Sequence, residues 1–196
     1  MRKRLCEALA LHAGELLTPR VAADLVNKMF PDRSHDPAQF GLKVYGDYTF
    51  QAERFAAALP ELHPLHERHY LETEKHRAGL ALNPDYDGVL ERERGGGVIQ
   101  FTARTSAGEL VGNMRVVIGV SVHTQTLFCE EDTFYVVPEH RGGFMAVRLW
   151  QFVENAVRSI GVREVRFNSK LANRADQMAR YLKYQPVAQL FVKIFD

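Results

Sequence analysis

From Ala146 to Ile160 the apolar residues Ala146, Leu149, Trp150, Val153, Ala156, Val157 and Ile160 recur at every third or fourth position, the spacing of one helix face, and Gly161 follows as a stop. Just upstream, the run from Asp132 to Val137 is β-branched and aromatic, which predicts a strand buried on both faces. That strand ends at Pro138, which has no amide to offer a sheet ladder. Arg141, Gly142 and Gly143 lie between the two, so the stretch from Glu130 to Ile160 reads as strand, loop and helix. Amides at a helix N-terminus carry partial positive charge, and glycine lets a phosphate approach the backbone without meeting a Cβ. The loop is therefore a candidate pyrophosphate cradle.

The rest of the chain is read in the same way. Residues 2–17 are rich in Ala, Leu and Glu and predict a helix. Thr18 and Pro19 supply an N-cap and a first-turn proline for a second helix, whose apolar face is Val21, Leu25, Val26, Met29 and Phe30 and which ends at Pro31. This helical hairpin is expected to cover the main domain or to dimerise. Residues 31–41 form a linker, so the chain divides into a helical extension, 1–40, and a main domain, 41–196. Leu42 to Ala52 is the first strand of that domain, although Gly46 and Asp47 break its alternation, and Pro60 to Arg77 is a helix. Residues 94–104 are a loop entering a strand that carries Val98, Ile99, Phe101 and Ala103. With the turn at Ser106–Gly108 and the strand from Leu110 to Val122, they make a β-hairpin. A short strand from Arg163 to Asn168, a helix from Leu171 to Lys183 and a last strand from Val187 to Phe195 follow. Six or seven strands with helices between them predict a mixed α/β sandwich with its ligand at a break in the sheet.

Composition narrows the function. The chain has 196 residues, 46% apolar and 25% charged, as expected for one main domain that buries roughly 70% of its unfolded surface. A net charge of +1 makes no broad electrostatic case for nucleic acid. Cys6 and Cys129 read as free thiols in a reducing compartment. The basic start MRKR is interrupted by Glu7, His12 and Glu15, so it does not make a signal peptide, and no stretch reaches membrane-spanning length; a cytoplasmic location is expected. Four histidines, His63, His66, His69 and His76, fall on one predicted helix with Glu72. They lack a zinc spacing and a fourth ligand elsewhere, so the expectation is a solvated polar face and no metal. Gly95–Gly97 lack the Lys and Ser/Thr of a phosphate loop and read as hairpin punctuation.

The segment Val136, Val137, Pro138, Glu139, His140, Arg141, Gly142, Gly143, Phe144, Met145, Ala146 resembles the Arg/Gln-x-x-Gly-x-Gly/Ala signature of the GNAT acyltransferases, with Phe144 where the first signature glycine stands. Gly108 to Gly112 resembles the start of that family's third strand, and residues 173–184 resemble its Asn-bearing helix, with Lys183 in place of a glycine and Ala179 in place of a common tyrosine. His69 to Glu72 and Asn83 to Tyr86 are similar to GNAT-type proteins of bacteriophage genomes. The resemblance implies a GNAT-like α/β fold with an N-terminal helical extension, and acetyl-CoA as acyl donor without a metal. The pantetheine arm would pair with strand amides at Val136 and Val137, in a splay between the strands at 132–137 and 163–168. The pyrophosphate would lie on the amides of Gly142, Gly143, Phe144, Met145 and Ala146, with Arg141 helping by its charge and Asn173 on the cofactor side. His69, Tyr70 and Glu72 would face the acceptor, a small-molecule or protein amine.

Acyl transfer to an amine needs a deprotonated nucleophile, a polarised carbonyl and a proton for the leaving thiolate. The amide near Val136 is placed to polarise. Glu130, Glu131 and Asp132 compete as base; alternation puts Glu131 and Asp132 on opposite faces, and Glu131 is favoured. Tyr181 or Tyr184 would donate the proton. The rival reading is a GNAT-like fold without catalysis, a phage inhibitor or virion component. Phe144, Ala179 and Lys183 favour it, and Arg141, Gly142, Gly143 and Ala146 oppose it.

Overall fold

The computed structural model describes residues 2–74, 77, 79–169 and 175–194. In chain order they form α1 (Arg2–Leu11), α2 (Pro19–Met29), β1 (Leu42–Tyr45), β2 (Tyr48–Glu53), α3 (Phe55–Thr73), α4 (Tyr86–Arg94), β3 (Val98–Thr105), β4 (Leu110–Val120), β5 (Leu127–Val136), α5 (Met145–Ser159), β6 (Glu164–Arg166) and α6 (Ala175–Tyr181). One six-stranded sheet runs β1-β2-β3-β4-β5-β6. Every pair is antiparallel except β5 and β6, which are parallel because α5 crosses between them.

The register sorts side chains cleanly. Ala103, Gly112 and Val136 are aligned across three strands, and a Cβ built on Gly112 would lie 3.4 Å from Met145 Cε of α5. Alternation then puts Ile99, Phe101, Met114, Val116 and Phe134 on the α5 side. There they meet Leu149, Trp150, Val153 and Val157, all fully buried. Each such side chain contributes roughly 1.5–3 kcal/mol on burial, so this face carries the main core. The opposite face lies under α3, whose Phe55, Ala58 and Leu62 are buried against it.

Two helices form at the start of the chain, the first ending at Leu11 and not running to residue 17. Thr18 Oγ1 accepts the Val21 amide at 3.2 Å with Pro19 in the first turn, and His12 ties α1 to α2 through Asp24 Oδ2 at 2.7 Å. Four further expectations are corrected. The first strand is two strands, because Gly46, at φ +56°, turns the chain back on itself. The histidine-bearing helix begins at Phe55, upstream of the proline read as its start. Helix α4 was unforeseen. Asp85 caps it by accepting the Gly88 amide at 2.9 Å, but its sequence YDGVLERER is too polar to show an apolar stripe. Among the described residues the last strand does not form: residues 187–194 join no ladder and are largely exposed, since an apolar, β-branched segment becomes a strand only where an edge pairs with it. Among the described residues no helix is long and apolar enough to cross a membrane.

Candidate active site

The end of β5 and the start of α5 build the candidate site. A 3-10 turn (Pro138–His140) leads into Arg141, Gly142 and Gly143, and Phe144 precedes the first helical residue without any side-chain cap. Among the described residues the amides of Gly142 to Val147 have no backbone acceptor, so a row of donors opens at the helix N-terminus. Gly143, at φ +65°, needs the freedom of glycine. Gly142 does not: its φ is ordinary, and a Cβ there would meet nothing within 4 Å. The protein's own packing does not call for a glycine at 142, whereas an anion drawn to these amides would. Met145 is buried against Gly112 and offers only its amide; Ala146 is half-buried in the first turn of the helix. Phe144 is 48% exposed, and its ring lies 5.7 Å from that of Tyr181.

Among the described residues the strand edge beside this loop is open. β6 pairs with β5 only through Phe128, Cys129 and Glu130. Val137 donates to Val111 of β4, so by alternation the polar groups of Val136 face the other edge, where β6 has already ended. The Val136 carbonyl is taken by Arg141 Nε at 2.7 Å, and its amide faces the gap. Asn168 spans the start of that gap, donating to Glu130 Oε1 and to the Glu131 carbonyl, both at 3.2 Å. Glu131 is thus the first residue of β5 beyond the β6 pairing. The register puts its partly buried side chain beside Val116, on the α5 face.

At Asp132 the β4–β5 register slips by one residue, a β-bulge. Asp132 and Thr133 therefore both meet Arg115 on the α3 face: Arg115 Nε donates to Asp132 Oδ2 at 2.6 Å and its Nη2 to Thr133 Oγ1 at 3.2 Å. Glu131 and Asp132 do lie on opposite faces. A cavity of about 430 Å³ opens at this bulge, between α4 and the sheet, with Asp85, Glu91, Arg92, Arg115 and Asp132 in its walls.

The residues of α3 divide. His69 stacks on Tyr135 with ring centroids 5.1 Å apart, and Arg141 lies over the same ring at 5.1 Å. Glu72 grips Arg141 with both carboxylate oxygens, at 2.6 and 2.7 Å. The guanidinium holds the Glu72 carboxyl below its usual range, and burial, then Glu72, raises the Tyr135 phenol. Tyr70 instead gives its hydroxyl to the Leu80 carbonyl at 2.5 Å and fixes the chain after α3. The expected solvated histidine face is also corrected. His63 is exposed, but His66 is buried beneath α3, with Nδ1 3.0 Å from the Tyr86 hydroxyl. Among the described residues no group of three or more His, Cys, Asp or Glu could hold a metal.

Of the two tyrosines, Tyr184 is committed: it accepts from Trp150 Nε1 at 2.8 Å and donates to Glu154 at 2.6 Å, and burial raises its phenol well above the usual value. Tyr181 is exposed beside Phe144, at the edge of the cradle. Asn173 and His76 lie outside the described residues. Sequence reasoning missed Arg115, Tyr86 and the Glu72–Arg141 pair. One signal was available: an arginine in the middle of the apolar run from Leu110 to Val120 calls for a buried partner.

No family model matches the chain, nor does any curated protein. Solved structures are similar to it. A ribosomal-protein-alanine N-acetyltransferase from Brucella melitensis biovar Abortus 2308 aligns over 76% of this chain and 97% of its own, with a TM-score of 0.58 and 17% identity. An aminoglycoside acetyltransferase from an uncultured soil metagenomic sample, in complex with sisomicin, covers 76% and 96%, with a TM-score of 0.59 and 11% identity. A Trypanosoma brucei acetyltransferase covers 76% and 100%, with a TM-score of 0.55 and 14% identity. The chain has the mixed α/β fold of GNAT acetyltransferases.

Proposed function

We propose that the protein is an N-acetyltransferase that moves an acetyl group from acetyl-CoA to an amine by direct attack. One observation carries the reading: an uncapped, glycine-flanked helix N-terminus stands at the end of β5, beside the edge that β6 leaves unpaired. An extended, amide-bearing arm ending in a diphosphate matches that pair of features, because the arm can add to a strand edge and the anion can rest on helix amides. Gly142, Gly143, Phe144, Met145 and Ala146 would hold the diphosphate through their amides, and Val136 and Val137 would flank the arm; Asn173 stays a candidate on that side. When bound, acetyl-CoA supplies an activated acetyl group.

The chain's own residues do the rest. Glu131, at the mouth of the gap, takes the proton of the attacking amine on a carboxylate oxygen, directly or through one water. The Val136 amide pairs with the arm, and the Phe134 amide, on the same strand edge and nearer Glu131, donates a hydrogen bond to the carbonyl that gains negative charge. The Tyr181 hydroxyl, exposed beside Phe144, gives its proton to the departing sulfur and regains one from solvent, which also takes the amine's proton from Glu131. The acceptor enters past His69 and reaches Glu131 across the edge of β5 that β6 leaves unpaired, and an aminoglycoside acetyltransferase among the similar structures supports a small-molecule amine.

Calorimetric titration tests the reading. Acetyl-CoA at 100 times its Kd is expected to stabilise the fold by about 2.7 kcal/mol. Gly142→Glu, which puts a carboxylate into the cradle where a Cβ meets nothing, is expected to fold as the parent does and to lose binding. No heat and no melting shift at millimolar acetyl-CoA would overturn it.

A further inference from the structure

We infer that Arg141 is a positioning residue which braces the anion-binding loop against α3 through Glu72, rather than a ligand of the phosphates. Its hydrogen-bonding edges are already directed into the protein. Nε donates to the Val136 carbonyl at 2.7 Å, Nη1 and Nη2 donate to the two Glu72 oxygens at 2.6 and 2.7 Å, and the flat face lies on Tyr135. A guanidinium held by a carboxylate in a two-bond fork is fixed in direction as well as neutralised, so little of its field is left for a diphosphate. The pair also has a mechanical consequence. Gly142 and Gly143 carry no side chains to fix the loop, a Cβ built on either would meet nothing within 4 Å, and Phe144 forms no side-chain cap. Arg141 is the residue just before them, and it joins the end of β5 to the last turn of α3. His69 of the same helix stacks on the same Tyr135 ring. Nearby, Arg68 Nη2 reaches Glu139 Oε2 at 3.2 Å, so α3 holds the loop at two points. The amides of Gly142 to Ala146 are thereby aimed before any ligand arrives.

The geometry stands on its own; the effect on ligand rests on the proposed donor site. The test compares the parent with Glu72→Ala, Arg141→Gln, Arg141→Lys and the double variant Glu72→Ala/Arg141→Gln. It uses CoA affinity by calorimetry well below the melting transition, and amide exchange of residues 139–146 in the ligand-free protein. A brace predicts that Glu72→Ala and Arg141→Gln each weaken CoA by about tenfold and that the double variant is no worse than the poorer single one, because both act through one bond. Arg141→Lys gives no rescue, since an ammonium cannot make the fork. Loop exchange accelerates in every variant while that of β2 and β3 does not change. A phosphate ligand predicts the reverse: Arg141→Lys keeps most of the affinity, the ammonium serving as a point charge, and removal of Glu72 leaves binding unchanged or tighter. Either result overturns the inference, as does a loss in Arg141→Lys with Glu72→Ala at parental affinity. If the parent itself binds no CoA, the proposed function fails, and the exchange measurement still decides the brace: unchanged loop exchange in Glu72→Ala removes it.

Discussion

Across β3, β4 and β5, the side chains that point at α5 include Ile99, Phe101, Met114, Val116, Phe134 and Val136, whereas those that point at α3 include Gln100, Thr102, Asn113, Arg115 and Thr133. Both sets are buried or nearly so. The second set is polar in a place where burial penalises polarity. Part of it is paired: Glu53 accepts from Thr102 and Arg104, and Arg104 reaches Glu61 of α3. Burial alone would raise the Glu53 carboxyl, and the Arg104, Thr102 and Gln51 hydrogen bonds turn the shift downward. Part of it is not paired. His66 Nε2, Gln100 Oε1, Asn113 Oδ1 and Nδ2, and Arg115 Nη1 are buried without a hydrogen-bond partner among the described residues, and all of them lie on this one face. The α5 face is built to be stable. The α3 face, which carries the bulge and the cavity, gives up stability to keep polar groups in place, the pattern expected of a surface kept for chemistry.

The largest effects test the stable face. Trp150 is fully buried, meets Phe134 and Phe167 edge-on and donates to Tyr184. Trp150→Ala is expected to cost about 3–5 kcal/mol in denaturant unfolding. A cost below about 1 kcal/mol would mean the α5 face is not the main core. Next comes the exception on that face. Glu131 is the only charged residue that the register of β3, β4 and β5 places toward α5. If it is there for chemistry, Glu131→Gln keeps CoA affinity and lowers turnover of an amine by roughly 10²- to 10⁴-fold, with the loss shrinking at high pH as the amine deprotonates itself. Asp132→Asn, on the other face and paired with Arg115, is expected to fall short of that loss. Equal losses would undo the division between the faces, and a loss constant with pH would make Glu131 a structural group.

The difference between the faces also explains what the sequence could reveal. The α5 face follows the simple periods: the threes and fours of α5 and the β-branched run of β5 locate strand, loop and helix, and the glycine pair between them marks the cradle. The helical hairpin was legible because Thr18 and Pro19 punctuate it. The α3 face has no such period. Its organising contacts, Glu72 to Arg141, Arg115 to Asp132 and His66 to Tyr86, join residues far apart in the chain, and one bulge resets which side chains share a side. Sequence spacing grouped His63, His66 and His69 on the helix, yet the sheet beneath separates them into an exposed, a buried and a stacked imidazole. The tail from Val187 misled for the opposite reason: its local pattern is strand-like, but a strand depends on a neighbour that the sequence does not supply.

A smaller effect comes from His66. Burial, followed by the charges of Arg115, His69 and His63, pushes its imidazole down to about 4, while Asp132 acts the other way. The folded protein therefore holds this side chain neutral where the unfolded chain, at about 6.5, already binds a proton. Stability from this group is complete above about pH 6.5 and is lost as pH falls from there toward 4, by up to about 3 kcal/mol. Melting curves across that window should show the slope, and His66→Gln should flatten it. A parental slope in the variant would assign the acid sensitivity to other groups.

The smallest expected change concerns Asn113, and its sign is what distinguishes the faces. Asn113 is fully buried between Thr102 and Tyr135 in the register, and both atoms of its carboxamide are without a partner among the described residues. An unsatisfied buried polar group costs about 1–3 kcal/mol, and an apolar replacement of similar size is often neutral or stabilising. Asn113→Leu is therefore expected to raise stability by about 1 kcal/mol in urea unfolding, in contrast to any polar substitution on the α5 face. If the polar layer serves the reaction, the same variant should raise KM for the amine while CoA affinity holds, because Asn113 shares the α3 face with Tyr135 and His69 and lies away from the cradle. A variant that is less stable than the parent would mean that the Asn113 amide is satisfied in solution, and the α3 face would then be a second ordinary core. A variant that is more stable and fully active would leave the polar layer without a role in the chemistry, and the asymmetry of the sheet would need another cause.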